Sequence, residues 1–108
     1  MKAYLTRRYR FSASHRLHSD AYDAAQNVAV FGKCNHPFGH GHNYLVQVTV
    51  SGQVNETTGM VCNLAELDGF ARAHVLHRFD HTNLNTLDCF ADRVSTTENL
   101  TIEISRIF

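Results

Sequence analysis

The chain has no C-x-x-C pair, only one proline and no excess of either charge. Its three cysteines, Cys34, Cys62 and Cys89, are odd in number and widely scattered. That pattern excludes a disulfide framework, and the missing pair excludes a thiolate-rich zinc finger. Ten Lys plus Arg stand against ten Asp plus Glu, a balance that builds no broad field for nucleic acid or an anionic membrane. No stretch is apolar for long enough to cross a bilayer, and the opening "MKAYLTRRYRF" has neither an apolar core nor a small-residue cleavage site. These absences point to a reducing, cytoplasmic setting. No linker, repeat or low-complexity tract interrupts the 108 residues, so a single domain over residues 1–108 is expected.

What the sequence has in surplus is histidine, with eight residues. Imidazole in that quantity suggests metal ligation or proton transfer near neutral pH. The hydrophobic fraction of 44% is that of a soluble globular protein. From Tyr9 onward, Tyr9, Phe11, Ala13 and His15 alternate with polar neighbours, which predicts a strand ending at His15. Tyr44, Val46, Val48 and Val50 predict a second strand that Ser51-Gly52 ends. A short helical piece is expected around residues 21–27, and "NETTG" (55–59) reads as a turn. Asn63 with Glu66, and Ser95 with Glu98, are capping-box patterns that predict two helices, the second covering the tail "NLTIEISRIF". Residues 80–88 read as a polar loop.

His40 and His42 stand two apart at the mouth of the second strand, so both imidazoles share one face, with Gly41 between them relieving crowding. If the two strands pair, His15 closes a three-histidine set. Three neutral nitrogens leave a fourth tetrahedral position open, the mark of a catalytic site. An isolated H-x-H is also a common accident of strand sequence. Cys34 lies six residues before His40 and reads either as a buried small hydrophobe or as a base. Asp80-His81 offers an imidazole with an orienting carboxylate, or a solvated loop pair. Thr96, Thr97 and Glu98 offer hydroxyls and a carboxylate at a helix start, or simple capping.

Five segments, "FSASHRL" (11–17), "FGKCNHPFGHGHNY" (31–44), "TGMVCNLAEL" (58–67), "DHTNLN" (80–85) and "FADRVSTTEN" (90–99), are colinear and span nearly the whole sequence. In order and spacing they resemble the 6-pyruvoyl-tetrahydropterin synthase family. The resemblance implies an α+β tunnelling fold, an antiparallel sheet (four-stranded in the family) with two helices on one face, assembled into oligomeric barrels. It implies zinc on His15, His40 and His42, a proton-accepting Cys34 and a relay of Asp80 and His81. Thr96, Thr97 and Glu98 would fall at the pterin pocket. The activity implied is conversion of 7,8-dihydroneopterin triphosphate to 6-pyruvoyl-tetrahydropterin with loss of triphosphate, in tetrahydrobiopterin biosynthesis. The partners implied are that small-molecule pterin triphosphate and identical subunits (a hexamer in the family), with neither nucleic acid nor membrane.

The family's two further strands, the last carrying a pterin-anchoring glutamate, have no counterpart before Phe108, and Glu103 falls in a helix. The sequence therefore reads as a C-terminally truncated relative. Two other readings stand beside the main one. The first is a 6-carboxytetrahydropterin synthase of queuosine biosynthesis, in which the cysteine usually sits closer to the histidine pair. The second is a non-catalytic pterin- and zinc-binding relative. The C-x5-HGH spacing and "STTEN" favour the pyruvoyl type.

Overall fold

The computed structural model describes residues 1–108. In sequence order the elements are β1 (Lys2–His15), α1 (Ala24–Phe31), β2 (His40–Gln53), α2 (Leu64–Ala71), α3 (His77–Phe79), β3 (Thr82–Asn83) and α4 (Thr97–Ile107). A π-helical turn, Arg72–Leu76, joins α2 and α3 into one continuous rod. That rod carries buried Ala71, Val75 and Phe79 in a single line, four residues apart.

The strands run further than their alternation suggested. β1 and β2 pair antiparallel from Lys2↔Gln53 to His15↔His40. Arg7 disguised the early part of β1, because it occupies an inward position where Asp68 neutralises it. Ser51-Gly52 does not end β2. Gly52 is instead where Val61 packs closely, its Cγ1 lying 3.3 Å from where a Cβ would be. The backbone turns at Asn55, whose side chain accepts from the backbone N–H of Thr57 and Thr58 at 2.9 and 3.0 Å.

The sheet is mixed and three-stranded, in the order β2-β1-β3, and not wholly antiparallel. The third strand runs parallel to β1 through Ala13↔Thr82 and Ser14↔Asn83, inside the segment that read as a polar loop. Two residues are too few to show a period of two. What anchors the strand is backbone bonding, His81 N–H to Ser12 O at 2.6 Å, and the fully buried Leu84 beside it.

The odd residues of β1 and the even residues of β2 face the helices. Phe11 stacks on Tyr44 at 5.0 Å between ring centroids and meets Phe79 at 6.0 Å. Ala13, Val75, Leu84, Phe90, Leu100 and Ile104 complete the core. Each large side chain so buried contributes roughly 1.5–3 kcal/mol. The opposite sheet face is polar, joined by Thr6–Thr49 and Ser12–Asn43 hydrogen bonds. The molecule is long, 61 × 23 × 20 Å, with a radius of gyration of 17.6 Å. A compact protein of this length would measure about 13 Å.

Each long helix starts at a capping residue. Asp23 and Gln26 form a reciprocal box at α1, so that helix begins at Ala24, the centre of "AYDAAQN", and runs on to Phe31. Asn63 accepts from Glu66 N–H at α2 as expected. At α4 the cap is Thr96, which accepts from Asn99 N–H at 3.2 Å, and not Ser95. Asp68 ties the helical rod to β1: it accepts from Arg7 Nε and Nη2 at 3.1 and 2.6 Å and from Tyr9 Oη at 2.7 Å. The Arg7 guanidinium, then the Tyr9 hydroxyl, hold its carboxyl below the usual aspartate range.

A carboxylate depressed in this way stabilises the fold above its unfolded-state value, and the contribution is lost as pH falls through the folded-state value. Asp68→Asn should therefore be less stable than the parent at neutral pH. The two proteins should converge once pH drops well below the ordinary aspartate value of about 3.9. Denaturant unfolding across acid pH checks this, and a gap independent of pH would contradict it.

Candidate metal centre

The strand register places the three histidines. His15 lies opposite His40, and Ala13 opposite His42, so all three imidazoles project from the helix-facing side at one end of the β1–β2 pair. His15 Nε2 and His40 Nε2 are 3.0 Å apart. The His42 ring stands almost perpendicular to the His40 ring, with centroids 4.6 Å apart. One nitrogen from each of the three lies within 4.8 Å of the others. His15 is buried, His40 partly so, and His42 is exposed, so the cluster has a protein side and an open side.

Protonation suits ligation. His15 Nδ1 is 2.6 Å from Ser95 O, a carbonyl that can only accept, so Nδ1 carries the proton and Nε2 presents its lone pair to the cluster. A backbone carbonyl behind a ligating imidazole is the usual way its tautomer is set. Burial pushes both His15 and His40 below the ordinary imidazole range. The neighbouring imidazoles add to that effect, while the Ser95 carbonyl opposes it at His15. Two Nε2 atoms 3.0 Å apart stand close enough to share one cation or one proton. The cluster fits a divalent ion held by imidazole nitrogen.

The supports around His15 were not evident as functional residues. Asn85 clamps the residue after it, Oδ1 accepting from Arg16 N–H at 2.7 Å and Nδ2 donating to Arg16 O at 2.9 Å. Ser95 Oγ donates to Asn85 Oδ1 at 3.2 Å, so the residue that orients His15 is itself tied to the strand end. The essential glycine is Gly39 and not Gly41. With φ +76° and a Cβ position 2.9 Å from His15 O, Gly39 lets the incoming loop press onto β1. A Cβ at Gly41 would meet only Ala13 O at 3.8 Å, an ordinary contact. The signal for Ser95 was present in "STTE", but a one-residue shift of the cap concealed it.

Asp80 and His81 do form a pair: Asp80 Oδ1 is 3.0 Å from His81 Nδ1. The same carboxylate oxygen accepts from Ser12 N–H at 2.9 Å, and this bond is the main reason Asp80 lies below the usual aspartate range. His81 is the only non-glycine residue at positive φ, 57°, a strained conformation held by its backbone bond to Ser12. Its side chain is 83% exposed and shares a shallow cleft with His42 and Asn43.

Cys34 sits half-buried in the 3-10 turn Gly32–Asn35, whose carbonyl at Cys34 accepts from Leu17 N–H at 2.8 Å. Its sulfur is not among the grouped ligand atoms. Thr96 is occupied in capping α4, and Glu98 is exposed in the first turn. Thr97 lines an apolar groove of about 390 Å³ between β2 and α4, together with Tyr44 and Phe11. The Tyr44 hydroxyl beside it is buried without a partner. His74 and His77 are exposed on the helical rod.

A family model described as 6-pyruvoyl tetrahydropterin synthase matches residues 4–107. The protein is 50% identical over 103 residues to a 6-pyruvoyl tetrahydrobiopterin synthase of Drosophila melanogaster, covering 94% of this chain and 61% of that protein. It is 49% identical over 104 residues to the protein of that name from Homo sapiens, covering 95% of this chain and 72% of the relative. The solved structure of the Caenorhabditis elegans 6-pyruvoyl tetrahydropterin synthase superposes with a TM-score of 0.95 at 42% identity, over 99% of this chain and 76% of that one.

Removing one imidazole should dismantle the cluster. His42→Ala should lose stoichiometric divalent-metal binding in elemental analysis while keeping its helical and strand content, because His42 is exposed and outside the core. Metal content equal to the parent's would refute the assignment.

Proposed function

Because the chain belongs to the 6-pyruvoyl tetrahydropterin synthase family, we propose that it is a zinc-dependent lyase acting on 7,8-dihydroneopterin triphosphate. The product is 6-pyruvoyl-tetrahydropterin, with loss of triphosphate. The observation that carries this reading is the convergence of three imidazoles at a strand end, beside a preformed Asp-His pair. Relatives near 50% identity that carry the pyruvoyl name favour that product over the carboxy type.

His15, His40 and His42 would hold the zinc, which when bound supplies a Lewis acid that acidifies a C–H bond of the substrate. Cys34 takes that proton as general base. Asp80 accepts the hydrogen bond of His81 Nδ1–H, so His81 Nε2 is free to take up a proton and, as imidazolium, return it to the substrate. Thr96, Thr97 and Glu98 lie at the start of α4, where hydroxyls, a carboxylate and first-turn N–H groups can meet a polar heterocycle. A cytoplasmic location suits three free cysteines, and no helix is long and apolar enough to cross a membrane.

The same reading includes a homo-oligomeric barrel of the tunnelling type. β2 forms one border of the sheet with its outer edge unpaired over 14 residues, and the molecule is unusually long for its size. Edges of that length are ordinarily covered, and a second copy covers them by the same backbone bonding. Light scattering at micromolar concentration should report a multimer; a stable monomer would remove this part of the reading.

The activity is tested by product mass after incubation of the zinc-loaded protein with 7,8-dihydroneopterin triphosphate. The pyruvoyl product is expected. The carboxy product would move the assignment to the other branch, and unchanged substrate would leave a binding protein. Cys34→Ala should keep its zinc and lose turnover by about 10²-fold or more, the range for a missing general base. Loss of zinc in that variant would make Cys34 a ligand.

A further inference from the structure

The carbonyl that meets His15 Nδ1 at 2.6 Å belongs to Ser95, the residue just before the α4 cap, and lies outside any helix or strand. Backbone of that kind can turn a carbonyl in many directions, so other contacts must hold it. Ser95 is fully buried, and its hydroxyl is committed to Asn85 Oδ1 and Arg16 O. Two residues earlier, Arg93 donates to Cys89 O at 3.2 and 3.1 Å and to Glu103 Oε2 at 3.0 Å. Those bonds fix the approach to Ser95 and the strand end behind it. None of them holds the backbone on either side of Ser95.

Asn99 does. Its Nδ2 donates to Val94 O at 2.8 Å, the carbonyl of the peptide unit that leads into Ser95. Its backbone N–H donates to Thr96 Oγ1 at 3.2 Å, on the far side of Ser95. Asn99 is the third residue of α4, where a capping box places a side chain that accepts from the N–H of the capping residue. Gln26 fills that role at α1, accepting from Asp23 N–H at 3.0 Å. At α4 the equivalent side chain instead donates backwards, past the cap. Capping alone does not require that bond, since the Thr96 hydroxyl already serves the first turn and Thr96 O accepts from Leu100 N–H at 2.9 Å.

We infer that Asn99 is a positioning residue for the histidine cluster. By pinning Val94 O it aims the Ser95 carbonyl at His15 Nδ1, and so keeps the Nε2 lone pair of His15 turned toward the other two imidazoles. With that carbonyl displaced, the neutral ring can carry its proton on either nitrogen, and a ring protonated at Nε2 cannot ligate through it. The inference rests on the zinc site of the proposed function and is independent of the reaction assigned there.

Two measurements on the full chain test it. Long-range proton–nitrogen NMR of the metal-free protein at mildly alkaline pH reads the His15 tautomer, and competition with a chromophoric chelator reads zinc affinity. Asn99→Leu keeps the side-chain volume and loses the donor. Asn99→Asp also loses the donor but leaves a carboxylate in the first turn, which favours the helix. Both should turn His15 from the Nδ1–H form into a mixture of tautomers and weaken zinc binding about tenfold. Ile104→Val loosens α4 against the core without touching this segment, and should keep the parental tautomer and affinity despite a lower melting temperature. A parental tautomer or parental zinc affinity in either folded Asn99 variant would overturn the inference, as would equal shifts in Ile104→Val. The two claims separate cleanly. These shifts in a protein that forms no pyruvoyl product keep the inference and defeat the proposed function; turnover with unshifted variants does the reverse.

Discussion

The pairing of His15 with His40 across two antiparallel strands is the constraint on which the rest of the site depends. In a strand, side chains alternate between faces, so a slip of one residue would send His15 and His40 to opposite sides of the sheet. The register is held against such a slip along its whole length. Phe11 must face Tyr44 to stack, and both must face inward to meet the helical rod through Phe79. Thr6 opposite Thr49 and Ser12 opposite Asn43 fix the polar face in the same alignment. The apolar core and the histidine cluster are thus two ends of one ladder, and packing at Phe11 sets geometry at His15.

A second set of contacts fixes the strand end from outside the sheet. Arg16, directly after His15, is held by the side-chain amide of Asn85, and Ser95 just before α4 orients the His15 ring. Ser12, three residues before His15, receives both Asp80 and His81. Segments from the last third of the sequence therefore converge on the end of β1. This explains why a two-residue strand exists at all. β3 contributes almost nothing as a sheet, but it brings the Asp-His pair alongside the histidine cluster. The strain at His81 is confined to the place where the backbone must turn sharply to do so.

Much of this was legible in the sequence, for reasons that differ by element. Alternation at Tyr9–His15 and Tyr44–Val50 is strong because one face is buried and the other is wet, and H-x-H at a strand mouth shows its own convergence. The helix starts were visible because Asn63 and the Ser-Thr-Thr-Glu run use capping chemistry, though which residue caps α4 was not. What could not be read was whatever depends on contacts between distant residues. Arg7 interrupts the apolar alternation ahead of Tyr9, and only Asp68, arriving from α2, neutralises it on the inward face. β3 has no periodicity to read. Gly39 and Gly41 look alike in a string, and only the approach of His15 O to one of them tells them apart.

The claim that organises the molecule is an open, three-imidazole metal centre at the end of the β1–β2 ladder. Zinc-edge X-ray absorption on the loaded protein tests it directly. Three imidazole nitrogens at about 2.0–2.1 Å, one further oxygen ligand and no sulfur are predicted. A sulfur scatterer near 2.3 Å would show Cys34 bound to the metal and the site closed, which would contradict the account.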